Sequence, residues 1–219
     1  MTDIELLNWA RGPAFQYAMI IFMIGVIMRF FEIFLLGRQK NLAEARGSEM
    51  VGGLRTIVSR SIPNAGKMKQ AAFSITVAYI FHIGFLVTLF FYAPHILVFQ
   101  ELTGLSWFSL PTPAIDALAI VSIIALIITL ILRIVDPVKR FLSGIEDYLV
   151  WLLTILPLIT GYLAFHRLGT SPQMMIALHI LSVELLMVAF PFTKLMHTFT
   201  VFTSRWYNGA IAGYRGVNS

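Results

Sequence analysis

The sequence predicts an all-α integral membrane protein with five transmembrane helices, and its composition supports this class. Hydrophobic residues make up 58% of the chain, charged residues only 12%, and the mean hydropathy is +0.82. A soluble domain of 219 residues cannot bury this much apolar surface, whereas a bilayer accepts it. We therefore expect a single membrane domain over residues 1–219.

Five apolar stretches are long enough to cross a bilayer, which takes roughly 20 residues per helix. Each is bounded by charged residues, proline or glycine. The predicted helices are 14–37, 71–98, 113–135, 147–166 and 173–197. The first stretch lacks the basic start and the small-residue cleavage site of a secretory signal, so we expect it to be a retained helix.

The distribution of basic residues predicts the orientation of these helices. With five spans, Arg11 and Arg167 fall on one side, Arg29 falls within a span, and the remaining thirteen of the sixteen Lys and Arg residues fall on the other side. Because the cytoplasmic side carries the basic excess, we expect the N-terminus outside and the C-terminus in the cytoplasm, with the protein in the cell inner (cytoplasmic) membrane. The basic residues stand between apolar runs and not on a soluble face, so the net charge of +5 does not indicate nucleic acid.

The segment 38–70 is too polar to cross the membrane. It mixes apolar residues with seven basic ones, a composition typical of a short helix that lies on the inner lipid interface. We expect Gly52-Gly53 and Pro63-Asn64 to interrupt it. The tail of about 20 residues after the last span is too short to fold alone.

Four of the five histidines lie in or at the ends of the second and fifth predicted helices: His82, His95, His179 and His197. Ionisable side chains within membrane spans usually have a function, although a single such histidine is often a hydrogen-bonded packing residue. In antiparallel helices the four sort by depth into His82 with His197 and His95 with His179. Two facing imidazoles can ligate a flat iron macrocycle from both sides.

The spacing of these histidines is favourable on one helix and less so on the other. His179 and His197 are 18 residues apart, which is five turns and about 27 Å on one face of a continuous helix. His82 and His95 are 13 residues apart, so their side chains diverge around an ideal helix. A kink at Pro94 would re-aim His95, and His166 is the alternative partner for His179. Pro191 would adjust the approach of His197 in the same way.

No cysteine occurs in the chain. Covalently attached c-type haem, iron–sulfur clusters and thiolate metal sites are therefore excluded. Any redox cofactor must be held by histidine or by non-covalent contact.

Three stretches of sequence resemble a known family. They are FHIGFLVTLFFYAPHI in the second helix, LPLITG in the fourth and LHILSVELLMVAFPFTKLMH in the fifth. Together they are similar to the membrane cytochrome b, or gamma subunit, of respiratory nitrate reductases, and especially to its relatives in sulfite-reductase-linked and heterodisulfide-reductase-like complexes. The resemblance covers most of the chain and departs from the nitrate reductase form at the wider spacing of His82 and His95.

The resemblance implies two haem b groups, with one haem as the smaller alternative. Carried onto this sequence, the iron ligands are His82 with His197 for the inner haem and His95 with His179 for the outer haem. It also implies quinone or quinol as the small-molecule partner and an iron–sulfur or molybdenum-containing subunit on the cytoplasmic side.

Other polar residues are candidates for supporting roles. Arg29, Lys194 and Arg205 lie near the inner face and would pair with haem propionates, although contacts with lipid headgroups explain them equally well. Glu184 lies between the two histidines of the fifth helix, where a carboxyl group needs a partner. It would act as a proton relay near a haem or as a protonated group that hydrogen-bonds a neighbouring helix.

A quinone site needs an apolar slot, hydrogen-bonding groups and a route for protons. His166 and Tyr92 are the candidates at the outer end, where Gln100, Glu101, Asp116 and Arg167 also fall.

The sequence therefore predicts a di-haem cytochrome b subunit that transfers electrons between the quinone pool and a cytoplasmic partner. It would act as the electron-transfer subunit of a quinone-linked oxidoreductase complex. The alternatives are a small transporter, in which Glu184 and the histidines handle protons or substrate, and a non-haem membrane anchor subunit.

Overall fold

A computed structural model describes residues 1–36, 42–62 and 65–217 of the chain, without the side chains of 65–70. Within these ranges every regular element is helical and no strand occurs. The prediction of an all-α protein is confirmed.

In chain order the helices are α1 (Asp3–Leu35), α2 (Glu49–Ser61), α3 (Ala65–Phe91), α4 (Ala93–Thr103), α5 (Thr112–Val135), α6 (Pro137–Leu142), α7 (Ile145–Phe165), α8 (Pro172–Ala189) and α9 (His197–Tyr214). Within α1 the residues Ala10–Ala14 form a π-helical turn around Pro13.

Five segments are long and apolar enough to cross a membrane, as predicted. They are Asp3–Leu35, Ala71–Phe91, Thr112–Val135, Ile145–Phe165 and Pro172–Phe192. Large apolar side chains on these helices face outward, among them Ile24, Ile83 and Ile131, so lipid replaces the protein core as their environment. The chain is a multi-pass membrane protein.

The first helix begins earlier than the predicted residue 14. Thr2 and Glu5 form a reciprocal capping box, in which each side chain accepts a hydrogen bond from the backbone N–H of the other residue. This cap satisfies two of the unpaired N–H groups at the helix start. The polar residues at the N-terminus are therefore part of the first helix.

The second span does not continue to residue 98. α3 ends at Phe91, Tyr92 is extended with φ −81° and ψ 125°, and α4 starts at once with Pro94 in its first turn. Proline has no N–H and favours the start of a helix over its interior, so the chain breaks here instead of kinking. His95 is consequently on a different helix from His82.

The fifth predicted helix is also interrupted. α8 ends at Ala189, two short 3₁₀ turns occupy Phe190–Phe192 and Lys194–Met196, and α9 begins at His197. The count of five turns between His179 and His197 was therefore wrong, because it assumed one continuous helix. Pro191 lies at the first turn of the interruption, which is the position that its missing N–H favours.

The chain forms two compact units. One comprises Met1–Ile20 with Phe73–Val188, and the other comprises Ile21–Ala72 with Ala189–Ser219. In the first unit, Leu126, Ile155 and Leu158 form a buried apolar core between α5 and α7. The expectation of a single domain over 1–219 stays a prediction.

In the second unit α2 packs along α9. The predicted interruption at Gly52-Gly53 is wrong, because α2 runs through both residues. Both glycines lie in this contact: a Cβ on Gly52 would meet the Gly209 carbonyl oxygen, and a Cβ on Gly53 would lie 2.5 Å from the ring of Trp206. Small residues allow such close packing of helices. The other predicted interruption, Pro63-Asn64, and the start of the basic segment, 38–41, lie outside the described residues.

Candidate functional site

Two of the four predicted histidine ligands come together in the first unit. The ring of His95, in the first turn of α4, and the ring of His179, midway along α8, have centroids 6.1 Å apart and planes inclined by 20°. His166, the alternative partner for His179, instead has its Nε2 2.8 Å from Asp116. The pairing of His95 with His179 is thus the one that the geometry favours.

His95 is held by the end of the helix that precedes it. Its Nδ1 lies 3.2 Å from the carbonyl oxygens of both Thr88 and Leu89, so the Nδ1–H donates to them. Burial lowers the pKa of His95 below its ordinary value, so the ring is neutral at pH 7. A neutral ring that donates from Nδ1 carries its lone pair on Nε2, the atom available for a metal.

The loop between α4 and α5 completes the cap on α3. The last four carbonyl groups of a helix have no partner within it. The Trp107 indole N–H donates to the carbonyl of Phe90 at 2.6 Å, and the backbone N–H of Leu110 donates to that of Phe91 at 3.0 Å. With the two carbonyls that His95 takes, all four are satisfied, and His95 is part of the structure that stabilises the helix end.

His179 is supported by α7. Its Nδ1 lies 3.3 Å from Thr160 Oγ1, which also lies 2.8 Å from the Leu156 carbonyl oxygen and 3.0 Å from Ser182 Oγ. The ring packs against Gly161, because a Cβ there would be 2.9 Å from His179 Cε1. Thr160 and Gly161, both on α7, thus fix the orientation of the imidazole.

This arrangement fits an iron porphyrin. A metal–imidazole bond is about 2 Å long, and a ring nitrogen lies about 1 Å from its centroid, so two imidazoles on one metal have centroids about 6 Å apart. The observed 6.1 Å agrees with this. The described residues contain no group of three or more His, Asp or Glu that would hold a metal ion alone. A haem iron, bound by its porphyrin, takes its axial ligands from only one or two side chains.

His82 and His197 belong to different units, and their pairing stays a prediction. Each ring has its Nδ1 2.7 Å from a backbone carbonyl oxygen, of Ala78 and Lys194 respectively. Each can therefore donate from Nδ1, as His95 does.

The three predicted propionate partners are engaged locally or exposed. Arg29 Nε donates to the Pro191 carbonyl at 2.9 Å, and its Nη1 forms an ion pair with Glu32 at 2.7 Å. Arg205 Nη1 donates to the Ser61 hydroxyl at 2.7 Å. Lys194 is exposed at the start of a 3₁₀ turn. Their role toward propionates stays a prediction.

Glu184 is buried, with 6% of its surface exposed, and its Oε1 has no hydrogen-bond partner among the described residues. The expected partner is therefore missing at this oxygen. A buried carboxyl oxygen of this kind is a candidate for proton handling.

The predicted quinone residues cluster beside His95. The Tyr92 ring lies 5.1 Å from that of His95 and 6.2 Å from that of Phe165, and Phe165 lies 4.8 Å from His166. Tyr92 and His166 are thus joined through one phenylalanine. Gln100 and Glu101 are exposed on α4.

Sequence reasoning assigned no role to Thr160 and Gly161, although both belong to the quoted string LPLITG. The signal available in the sequence was a hydroxyl residue followed by a glycine, on the helix that precedes the one with His179. Asp116 was grouped with the quinone residues. Its pairing with His166 could not be predicted, because it depends on how α5 packs against the end of α7.

The fold and this cluster define a multi-pass helical membrane protein with a half-buried pair of histidines. A curated protein of Nitratidesulfovibrio vulgaris (strain Hildenborough), described only as "Protein", is 32% identical over 137 residues. The match covers 63% of this chain and 60% of that relative, so the chain spans less than two thirds of its length. No protein-family model matches the chain, and no solved structure matches it.

Proposed function

We propose that the protein is a cytochrome b subunit that carries electrons within the membrane on haem b held by His95 and His179. The observation that carries this proposal is the pair of near-parallel imidazole rings 6.1 Å apart inside the first unit. Both rings have their Nδ1 engaged, by the Thr88 and Leu89 carbonyls or by Thr160, so Nε2 is the candidate metal ligand of each ring. Hydrogen bonds at the second nitrogen are the usual means of fixing a ligating histidine.

When bound, haem would supply a centre that gains and loses one electron at a time. His95 and His179 would bind it through Nε2, while the Thr88 and Leu89 carbonyl groups and Thr160 hold the two rings at Nδ1. Gly161 gives the His179 ring the space that it needs against α7. The apolar spans exclude water. This lowers the solvent reorganisation that would accompany a change in the charge of the bound haem.

The partners follow from this role and from the resemblance. We propose quinone or quinol as the membrane partner and an iron–sulfur or molybdenum-containing subunit at the cytoplasmic face. A second haem and the inner-membrane location belong to the same proposal. The chain would then complete a useful reaction only within a larger complex.

Haem content tests the proposal. We expect the protein purified from its native membrane to contain protohaem, with one or two haems per chain in a pyridine haemochrome assay. Dithionite should give the sharp visible bands of a six-coordinate b-type cytochrome. Colourless protein, obtained while other b-type cytochromes of the same membranes keep their haem, would contradict the proposal.

The orphaned carboxyl oxygen of Glu184 favours a second candidate, a proton-translocating transporter. A transporter predicts colourless protein, and it predicts that Glu184→Gln abolishes proton uptake by vesicles containing the purified chain. The haem assay therefore separates the two candidates.

A further inference from the structure

A histidine and a carboxylate join α5 to the end of α7. His166 Nε2 lies 2.8 Å from Asp116 Oδ1, and the two side chains are 32% and 27% exposed. His166 Nδ1 has no hydrogen-bond partner in the part of the chain that the structure describes. An imidazole that is oriented by a carboxylate at one nitrogen presents the other nitrogen as a proton acceptor.

Aromatic rings surround this pair and lead to His95. The His166 ring contacts Tyr162 at 4.3 Å and Phe165 at 4.8 Å between centroids, and Tyr92 stands between Phe165 and His95. The Tyr92 hydroxyl makes no hydrogen bond to any other described residue. The region thus combines flat apolar walls, a free hydroxyl and a proton acceptor, which are the features that an aromatic diol needs.

We propose that His166, positioned by Asp116, accepts protons from a membrane quinol whose electrons pass to the haem held by His95 and His179. The inference rests on the proposed function, and it names the group that exchanges protons with the quinol.

A quinol O–H bond breaks and its proton moves to His166 Nδ1, while haem, if bound in the ferric state, would be the oxidant that takes up one electron. After His166 has released that proton to water and the electron has moved on, the second proton and electron follow the same route and leave the quinone. In the reverse direction the protonated ring supplies the protons for quinone reduction.

The test uses the full-length holoprotein and three variants: His166→Ala, Asp116→Asn and, as a matched control, Glu44→Gln. Glu44 is an exposed carboxylate outside the candidate quinone site. Haem reduction is followed optically with menadiol and, separately, with dithionite. Binding of 2-heptyl-4-hydroxyquinoline N-oxide, a fluorescent quinol analogue, is measured by fluorescence quenching.

We expect His166→Ala and Asp116→Asn to lower kcat for haem reduction by menadiol at least about 100-fold, because a positioned base contributes about that much. Haem content and reduction by dithionite should match the wild type, as should every property of Glu44→Gln. Asp116→Asn should leave KM unchanged, since an amide oxygen still accepts from the ring. His166→Ala should weaken binding of the quinol analogue about tenfold, the value of one hydrogen bond.

Reduction by menadiol at the wild-type rate in both variants, with haem intact, would overturn the inference. If the wild type contains no haem, the proposed function and the electron transfer to haem both fail, but the binding measurement still decides whether His166 belongs to a quinol site. Binding that His166→Ala weakens would then support a quinol site, and equal binding would refute it.

Discussion

Replacing His179 with alanine is expected to remove one haem per chain, and His95→Ala is expected to do the same. Each substitution takes away one of the two imidazoles whose centroids are 6.1 Å apart, and an iron porphyrin held from one side in an apolar bundle loses a strong bond. The pyridine haemochrome content of the purified variants measures the loss. The remaining absorbance should come from the predicted second haem only.

His166→Ala is the matched control for these variants. His166 is also an imidazole, at the C-terminal end of α7, but its ring pairs with Asp116. Its haem content should equal that of the wild type. Full haem content in both His179→Ala and His95→Ala would refute the assignment of these ligands.

Gly161→Ala is expected to weaken haem binding about 10-fold or more, an effect usual for residues that orient a metal ligand. A Cβ at this position would lie 2.9 Å from His179 Cε1 and 3.2 Å from Nδ1, so the ring must move. Sites of this kind tolerate displacements of only about 0.5 Å. Haem retained during a challenge with an excess of a haem-binding apoprotein measures the change.

Gly12→Ala provides the control, because a Cβ on Gly12 has no heavy atom within 4 Å. That variant should retain haem like the wild type. Equal retention by the Gly161 and Gly12 variants would show that the ring of His179 does not depend on the space at Gly161.

Much of the fold follows from hydropathy alone. The third and fourth spans, Thr112–Val135 and Ile145–Phe165, agree with their predictions to within two residues, because a bilayer sets helix length directly. The start of α1 was missed because hydropathy ignores the cap that Thr2 and Glu5 provide. Local hydrogen bonding decides such ends.

The breaks within the second and fifth predicted helices were harder to predict. Pro94 and Pro191 indicated a disturbance, but proline can either kink a helix or start a new one. At Tyr92 the outcome depends on Trp107 and Leu110, which are distant in sequence and satisfy the exposed carbonyl groups.

The candidate site was predictable in its ligands but not in its supports. The predicted depth in the membrane was enough to pair His95 with His179. The 13-residue spacing of His82 and His95 on one predicted helix, however, argued against His95 as a ligand. The break at Tyr92 removes that difficulty, since His95 lies on α4 and the direction of its ring does not follow from the turns of α3. Thr160 and Gly161 required knowledge of which face of α7 meets α8, and no periodicity in the sequence reports that.

The low-temperature electron paramagnetic resonance spectrum of the oxidised protein tests the central claim most directly. Two imidazole ligands give ferric haem iron a strong axial field, so we predict a low-spin signal that accounts for one haem per chain and disappears in His179→Ala. A high-spin signal in the wild type, or a low-spin signal unchanged by that substitution, would contradict a haem held between His95 and His179.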